Sequence, residues 1–121
     1  MSHIEMQQLT IATVGEAGSA AGSGTTIPIE GLLLDVYLNY NAACPATADV
    51  TITDPIFGVV FTKSNNATDV RVAPREPVVG ADGAATGLFD LIPINSALTI
   101  DVAEADELAA CLVVTLRWLT P

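Results

Sequence analysis

The chain has 121 residues, enough for one domain that buries roughly two thirds of the surface exposed when unfolded. Fourteen acids stand against four cations, Lys63, Arg71, Arg75 and Arg117, giving a net charge of −10 that repels a phosphate backbone and argues against nucleic-acid binding. Half the residues are hydrophobic and only 15% are charged, against about a quarter in an average globular protein, so part of the surface is expected to be covered by other subunits. The longest apolar runs fall well short of the ~18 residues that cross a bilayer, so a soluble protein without a membrane partner is expected. The first residues, Met-Ser-His-Ile-Glu-Met-Gln-Gln, carry neither a basic segment nor an apolar run, and synthesis is expected to end in the cytosol.

In chain order, Leu9 and Ile11 alternate with Gln8, Thr10 and Ala12, which predicts a strand over Met6 to Val14, at a sheet edge. Gly15 to Thr26 is a run of small residues with little to pack, read as a flexible loop or an arm that orders against a neighbouring subunit. Leu32 to Tyr40 is the central strand, with Leu32, Leu34, Val36, Leu38 and Tyr40 expected on the core face and Leu33, Asp35, Tyr37 and Asn39 on the other. Pro45 and its small neighbours break the chain over Asn41 to Ala48. Asp49 to Asp54 follows as a strand with Val50 and Ile52 inward, and Asp54-Pro55 with Gly58 turns it into a second strand over Val59 to Lys63. The polar turn Ser64 to Thr68, whose asparagines tolerate positive φ, leads to a third run at Asp69 to Val72, and the three runs are expected to form a meander.

Ala73 to Gly87 holds Pro74, Pro77, Gly80 and the Asp82-Gly83 pair and is read as a long loop with at most a short strand at Val78-Val79. Leu88 to Ile94 is largely apolar, Asn95-Ser96 turns, and Leu98, Ile100 and Val102 alternate with Thr99 and Asp101 in a strand. Glu104 to Ala110 is the sole helix candidate. Leu112, Val114, Leu116 and Trp118 then alternate with Val113, Thr115 and Arg117 in a closing strand that should face the same core as the central one. Strands every 8 to 12 residues or so, with turn signals between, predict an all-β, antiparallel sandwich or small barrel, jelly-roll-like, with at most one short helix. The whole of 1–121 is one β domain.

Three segments in this order and spacing resemble small β-rich proteins encoded among the virion genes of tailed bacteriophages. They are Pro45 to Thr53; Asn66-Ala67-Thr68-Asp69 leading to Ala73-Pro74-Arg75; and the Leu98 to Val102 strand with its Ala-Asp-Glu-Leu loop and final Val-Val-Thr-Leu strand. The resemblance runs from about residue 9 to the end, and a small-residue stretch precedes the first long strand in such proteins too. It implies a virion structural protein, of the capsid decoration or cement type: a homo-oligomer, commonly a trimer, whose partner is the major capsid protein. Its place would be the capsid surface, after synthesis in the bacterial host cytoplasm. The rivals are a tail or neck component of the virion and a carbohydrate-binding or host-attachment sandwich.

Side-chain chemistry points the same way. A nucleophilic triad needs a base, and the one histidine, His3, sits at the terminus. Asp101, Glu104, Asp106 and Glu107 lack a substrate platform and the oxygen-ligand spacing of an EF-hand, and Gly22 to Thr26 lacks the lysine of a phosphate-binding loop. No catalytic, cofactor or metal residues are expected, and no enzyme. Cys44 and Cys111 admit one disulfide, but reduced thiols are favoured, with Cys111 packing as a small hydrophobe. Arg71, Arg75 and Arg117 are the interface candidates, because few cations exist in so acidic a chain and guanidinium forms bidentate bridges across interfaces. Arg75, held by Pro74, is expected to pair with an acid on an adjacent subunit.

Overall fold

A computed structural model describes residues 2–121. Ten strands and no helix occur among them: β1 (His3–Thr13), β2 (Ala20–Thr25), β3 (Ile29–Tyr40), β4 (Asp49–Asp54), β5 (Gly58–Lys63), β6 (Val70–Val72), β7 (Arg75–Val79), β8 (Ala85–Ser96), β9 (Thr99–Ala105) and β10 (Leu108–Thr120). One antiparallel sheet has the order β1-β10-β3-β8-β7, with β6 also on β3, and the second has the order β2-β9-β4-β5. Setting β6 and β7 aside, each sheet interleaves the first and last strands of the chain, the strand order of a jelly roll. The two sheets pack as a sandwich, and the barrel alternative does not form.

The core is built by the alternating residues expected to build it. Val50, Ile52, Leu98, Ile100 and Val102 from one sheet meet Leu112, Val114, Leu116 and Trp118 from the other, all fully or almost fully buried. Each such side chain contributes roughly 1.5–3 kcal/mol relative to exposure. The central strand departs from its predicted phase. Its pairing with β10 shifts between Arg117↔Asp35 and Trp118↔Leu33, so Leu34 is the extra residue of a bulge. Leu33 is therefore fully buried with Val36, Leu38 and Tyr40, while Leu32 and Leu34 are half-buried, the reverse of strict alternation from Leu32.

The stretch read as a loop at 15–26 is a loop only as far as Ser19. Ala20 to Thr25 is β2, on the edge of the second sheet against β9. Its small residues answer to crowding: a Cβ on Gly22 would sit 1.8 Å from the Ala12 carbonyl oxygen, and one on Gly24 2.6 Å from Ile11 Cδ1. The helix expected at Glu104 to Ala110 is likewise replaced by the end of β9, a turn at Asp106-Glu107 and the start of β10. A helix of seven residues is marginal in water, whereas Ala105 and Leu108 have ladder partners in Ala20 and Thr13. Thr47 and Thr13 hydroxyls donate to the carbonyls of Glu104 and Asp106, which satisfies the backbone of the turn.

The expected meander forms only in part. β4 and β5 pair, but β6 crosses to the other sheet and takes the edge of β3 at Val36 to Leu38. β8 occupies the same edge at Ile29 to Leu33 and beyond Ile92 pairs with β7 alone. The segment read as a long loop is thus a hairpin, closed at Gly80 to Ala84 by the Gly80 amide on the Ala84 carbonyl, 2.9 Å. It leaves the sandwich where β6 displaces it.

Candidate interaction site

The bulge on β3 gathers three of the four cations. Asp35 is 5% exposed on the outer face of the first sheet. β10 brings Arg117 and β6 brings Arg71 to it from its two sides. Arg117 Nε donates to Oδ1 at 2.8 Å and its Nη2 to Oδ2, while Arg71 donates to Oδ2 through Nε at 2.9 Å, its Nη2 forming an ion pair with the same oxygen at 2.6 Å. The Arg117 bond, opposed by desolvation and joined by Arg71, holds the Asp35 carboxyl below its ordinary value, and the same bond raises Arg117. Arg75 Nη1 donates to the Leu34 carbonyl at 3.0 Å and the Pro74 carbonyl at 2.8 Å.

All three arginines singled out in the sequence therefore converge on residues 34 and 35 of β3. Arg71 and Arg117 are spent largely on an internal carboxylate, which stiffens the face. Arg75 makes no ion pair among the described residues and keeps Nε and Nη2 free of protein partners. His3 lies in β1 and bonds Glu5 at 2.7 Å, exposed. Cys44 and Cys111 are free, buried thiols with their sulfurs 3.5 Å apart, and Cys111 packs in the core as expected.

A second feature, which the sequence reading missed, adjoins Arg75. The β7–β8 ribbon is exposed from Arg75 to Asp90 except at Val78 and Gly80. Leu88 is 64% and Phe89 69% exposed. Across from the ribbon, the β4–β5 turn exposes Ile56 at 74%, Phe57 at 86% and Val59 at 64%. Between the two lies a groove of about 450 Å³, walled by Phe57, Val59, Pro77, Ile92, Arg75 and Glu76. Two-stranded ribbons are marginal in water unless a face is covered, and scattered apolar residues rarely gather so densely on a monomer. Nothing in residue periodicity separates Leu88-Phe89 from a core strand. Their only signal is Gly87 before them and Asp90 after them. No helix of the chain is long and apolar enough to cross a membrane among the described residues.

No protein-family model matches the chain, and no curated protein matches it. Among solved structures, a chain of the complex of the Aeromonas sobria serine protease and the chaperone ORF2 is similar over 99% of this chain and 27% of that one, at 9% identity and a TM-score of 0.51. The chain thus spans about a quarter of that chain's length. A virus-like particle of the extra small virus of the giant freshwater prawn Macrobrachium rosenbergii follows, with a TM-score of 0.37 and 11% identity over 98% of this chain and 78% of that one. TmCBM61 in complex with β-1,4-galactotriose has a TM-score of 0.39 and 6% identity over 98% of this chain and 86% of that one. At such identities the first of these likenesses speaks to the fold alone.

Proposed function

We propose that the chain is a structural, adhesive protein of a virion, of the capsid decoration or cement type, acting as a homo-oligomer on the outer surface of a shell built by a major capsid protein. The carrying observation is the β7–β8 ribbon with its apolar Leu88 and Phe89, which stands off a rigid jelly roll as a surface built to be covered. The sequence resemblance to tailed-phage virion proteins supplies the kind of particle. The charge fits an outward position away from packaged DNA, since a net −10 repels phosphate. The mechanism requires no chemistry: the Asp35 cluster keeps the face rigid, and many identical weak contacts sum by multivalency.

The test is co-sedimentation of purified protein with expanded capsid shells and DNA-filled heads of a tailed phage. Saturable binding at copy numbers of the order of the shell subunits supports the reading. Binding at a few copies per particle moves the protein to the neck or tail, and no binding ends it.

A further inference from the structure

We propose that Cys44 and Cys111 are the two halves of a disulfide site, closed by a low-molecular-weight disulfide when the chain folds outside a reducing compartment, that staples one end of the jelly roll. The inference stands apart from the decoration reading. The two sulfurs lie 3.5 Å apart although the residues are 67 positions apart in the chain, and both are buried, Cys111 at 0% and Cys44 at 8% exposure. A disulfide holds its sulfurs at about 2.05 Å, so closing the bond asks for a movement of about 1.5 Å shared between two side chains.

The backbone already holds the pair together, and one residue does it. The Asn41 amide donates to the Cys111 carbonyl at 2.9 Å and its side-chain Nδ2 to the Ala110 carbonyl at 3.1 Å, which ties the loop after β3 to the start of β10 at two successive residues. The Asn41 carbonyl accepts from the Cys44 amide at 2.9 Å and its Oδ1 from the Ala43 amide at 2.9 Å, which folds the turn back towards β10. Every polar group of Asn41 thus fixes one cysteine against the other. A structural metal takes four ligands, and no group of three or more His, Cys, Asp or Glu that could hold one occurs among the described residues.

The chemistry is two exchanges with a reagent such as oxidised glutathione. The Cys44 sulfur, the more accessible of the two, attacks as thiolate one sulfur of the reagent; the reagent's S–S bond breaks and its other half leaves as a thiolate that takes up a proton. The Cys111 sulfur then attacks the Cys44 sulfur of the mixed disulfide and expels the second half. Two protein thiols are oxidised, one disulfide is reduced to two thiols, and both protons end on the reagent. Burial, which pushes Cys44 up to about 12, makes these exchanges slow in the folded protein, so the state set during folding persists. The closed ring encloses β4 to β9, the exposed β7–β8 ribbon included, and restrains the unfolded chain far more than the folded one.

The test is to unfold the protein and refold it to equilibrium in glutathione buffers of varied ratio, reading the thiols by intact mass. In oxidised glutathione the chain is expected to come out about 2 Da lighter with no glutathione attached, and to melt about 10 °C higher than the reduced chain. Across the series, the folded pair is expected to resist reduction about a hundredfold better than the same pair kept in guanidinium chloride. Cys44→Ala, a change in the loop, is expected to carry at most one glutathione and to melt alike in either buffer. A native chain that keeps both thiols, carries two glutathiones or links to a second chain overturns the site. So does a disulfide no harder to reduce in the folded protein than in the unfolded one, or one that lowers the melting temperature, since the sulfurs would then be neighbours by packing alone.

Discussion

Arg75 donates to the Leu34 carbonyl at 3.0 Å, at the point on the edge of β3 that lies between the stretch paired to β8 and the stretch paired to β6. A bulge leaves a backbone group without a ladder partner, and a buried unpaired carbonyl is costly. The guanidinium closes the gap and so joins the base of the ribbon to the sandwich. Arg75→Met is expected to lower stability by about 1 kcal/mol, since the site is exposed enough for water to replace part of the bond. Urea denaturation measures it; an unchanged midpoint would show that the bond contributes nothing.

The Asp35 cluster makes stability depend on pH. The carboxyl is held below its ordinary value of 3.8, so the native state binds that proton less readily than the unfolded chain. Its contribution is complete above the unfolded value and is lost as pH falls through the lower, folded one. Denaturation midpoints taken from pH 7 down to pH 2 are expected to fall across the acid range, and Asp35→Asn is expected to flatten that part of the curve. At pH 7 the Asn variant should lose about 1–3 kcal/mol, because two guanidinium groups lose a charged acceptor yet remain open to water. Arg117→Met should cost more than Arg71→Met: Arg117 engages both carboxylate oxygens, and its side chain is 40% exposed against 67%.

The glycines of β2 give a sharper structural test. A Cβ at Gly22 meets backbone at 1.8 Å, which cannot yield without moving β1 away, whereas a Cβ at Gly24 meets only the tip of Ile11 at 2.6 Å. Gly22→Ala is expected to cost about 3 kcal/mol and Gly24→Ala about 1, the difference between moving a strand and rotating a side chain. Thermal melting of the pair decides it, and equal losses would remove the close approach as the cause.

What could be seen in the sequence follows from which forces act locally. Val50, Ile52, Leu98, Ile100, Val102 and the Leu112 to Trp118 set alternate with period two because one face of each strand is dry, and all are buried. The small residues of β2 and the acidic Glu104 to Glu107 segment misled because crowding by Ala12 and pairing with Thr13 and Ala20 are tertiary facts with no local trace. The bulge at Leu34 shifted the phase of a strand that reads as regular. The three arginines stand out in the sequence by their scarcity, but their meeting at residues 34 and 35 depends on the pairing of β10 and on β6 changing sheets, which no periodicity reports. The exposed Leu88-Phe89 pair looked like core because hydrophobicity alone does not say what covers a residue.

The two cysteines carry the last prediction. Burial, with the neighbouring Cys111 thiol, pushes Cys44 up to about 12, so at pH 8 the reactive thiolate is far scarcer than the rough quarter found for a free cysteine. Cys111 is fully buried, and the pair lies beneath the Asn41–Ala48 loop, with the Asn41 amide bonded to the Cys111 carbonyl at 2.9 Å. Iodoacetamide at pH 8 is expected to leave both thiols largely unmodified in the folded protein over an hour and to alkylate both in guanidinium chloride, read by intact mass. Fast labelling of the native protein would mean that the loop opens far more often than global unfolding allows, since local opening sets the rate at which a buried thiol is reached. Labelling that follows the urea dependence of global unfolding would instead place Cys44 and Cys111 in the last part of the sandwich to open, consistent with their seat among the core residues Tyr40, Ala48 and Leu112.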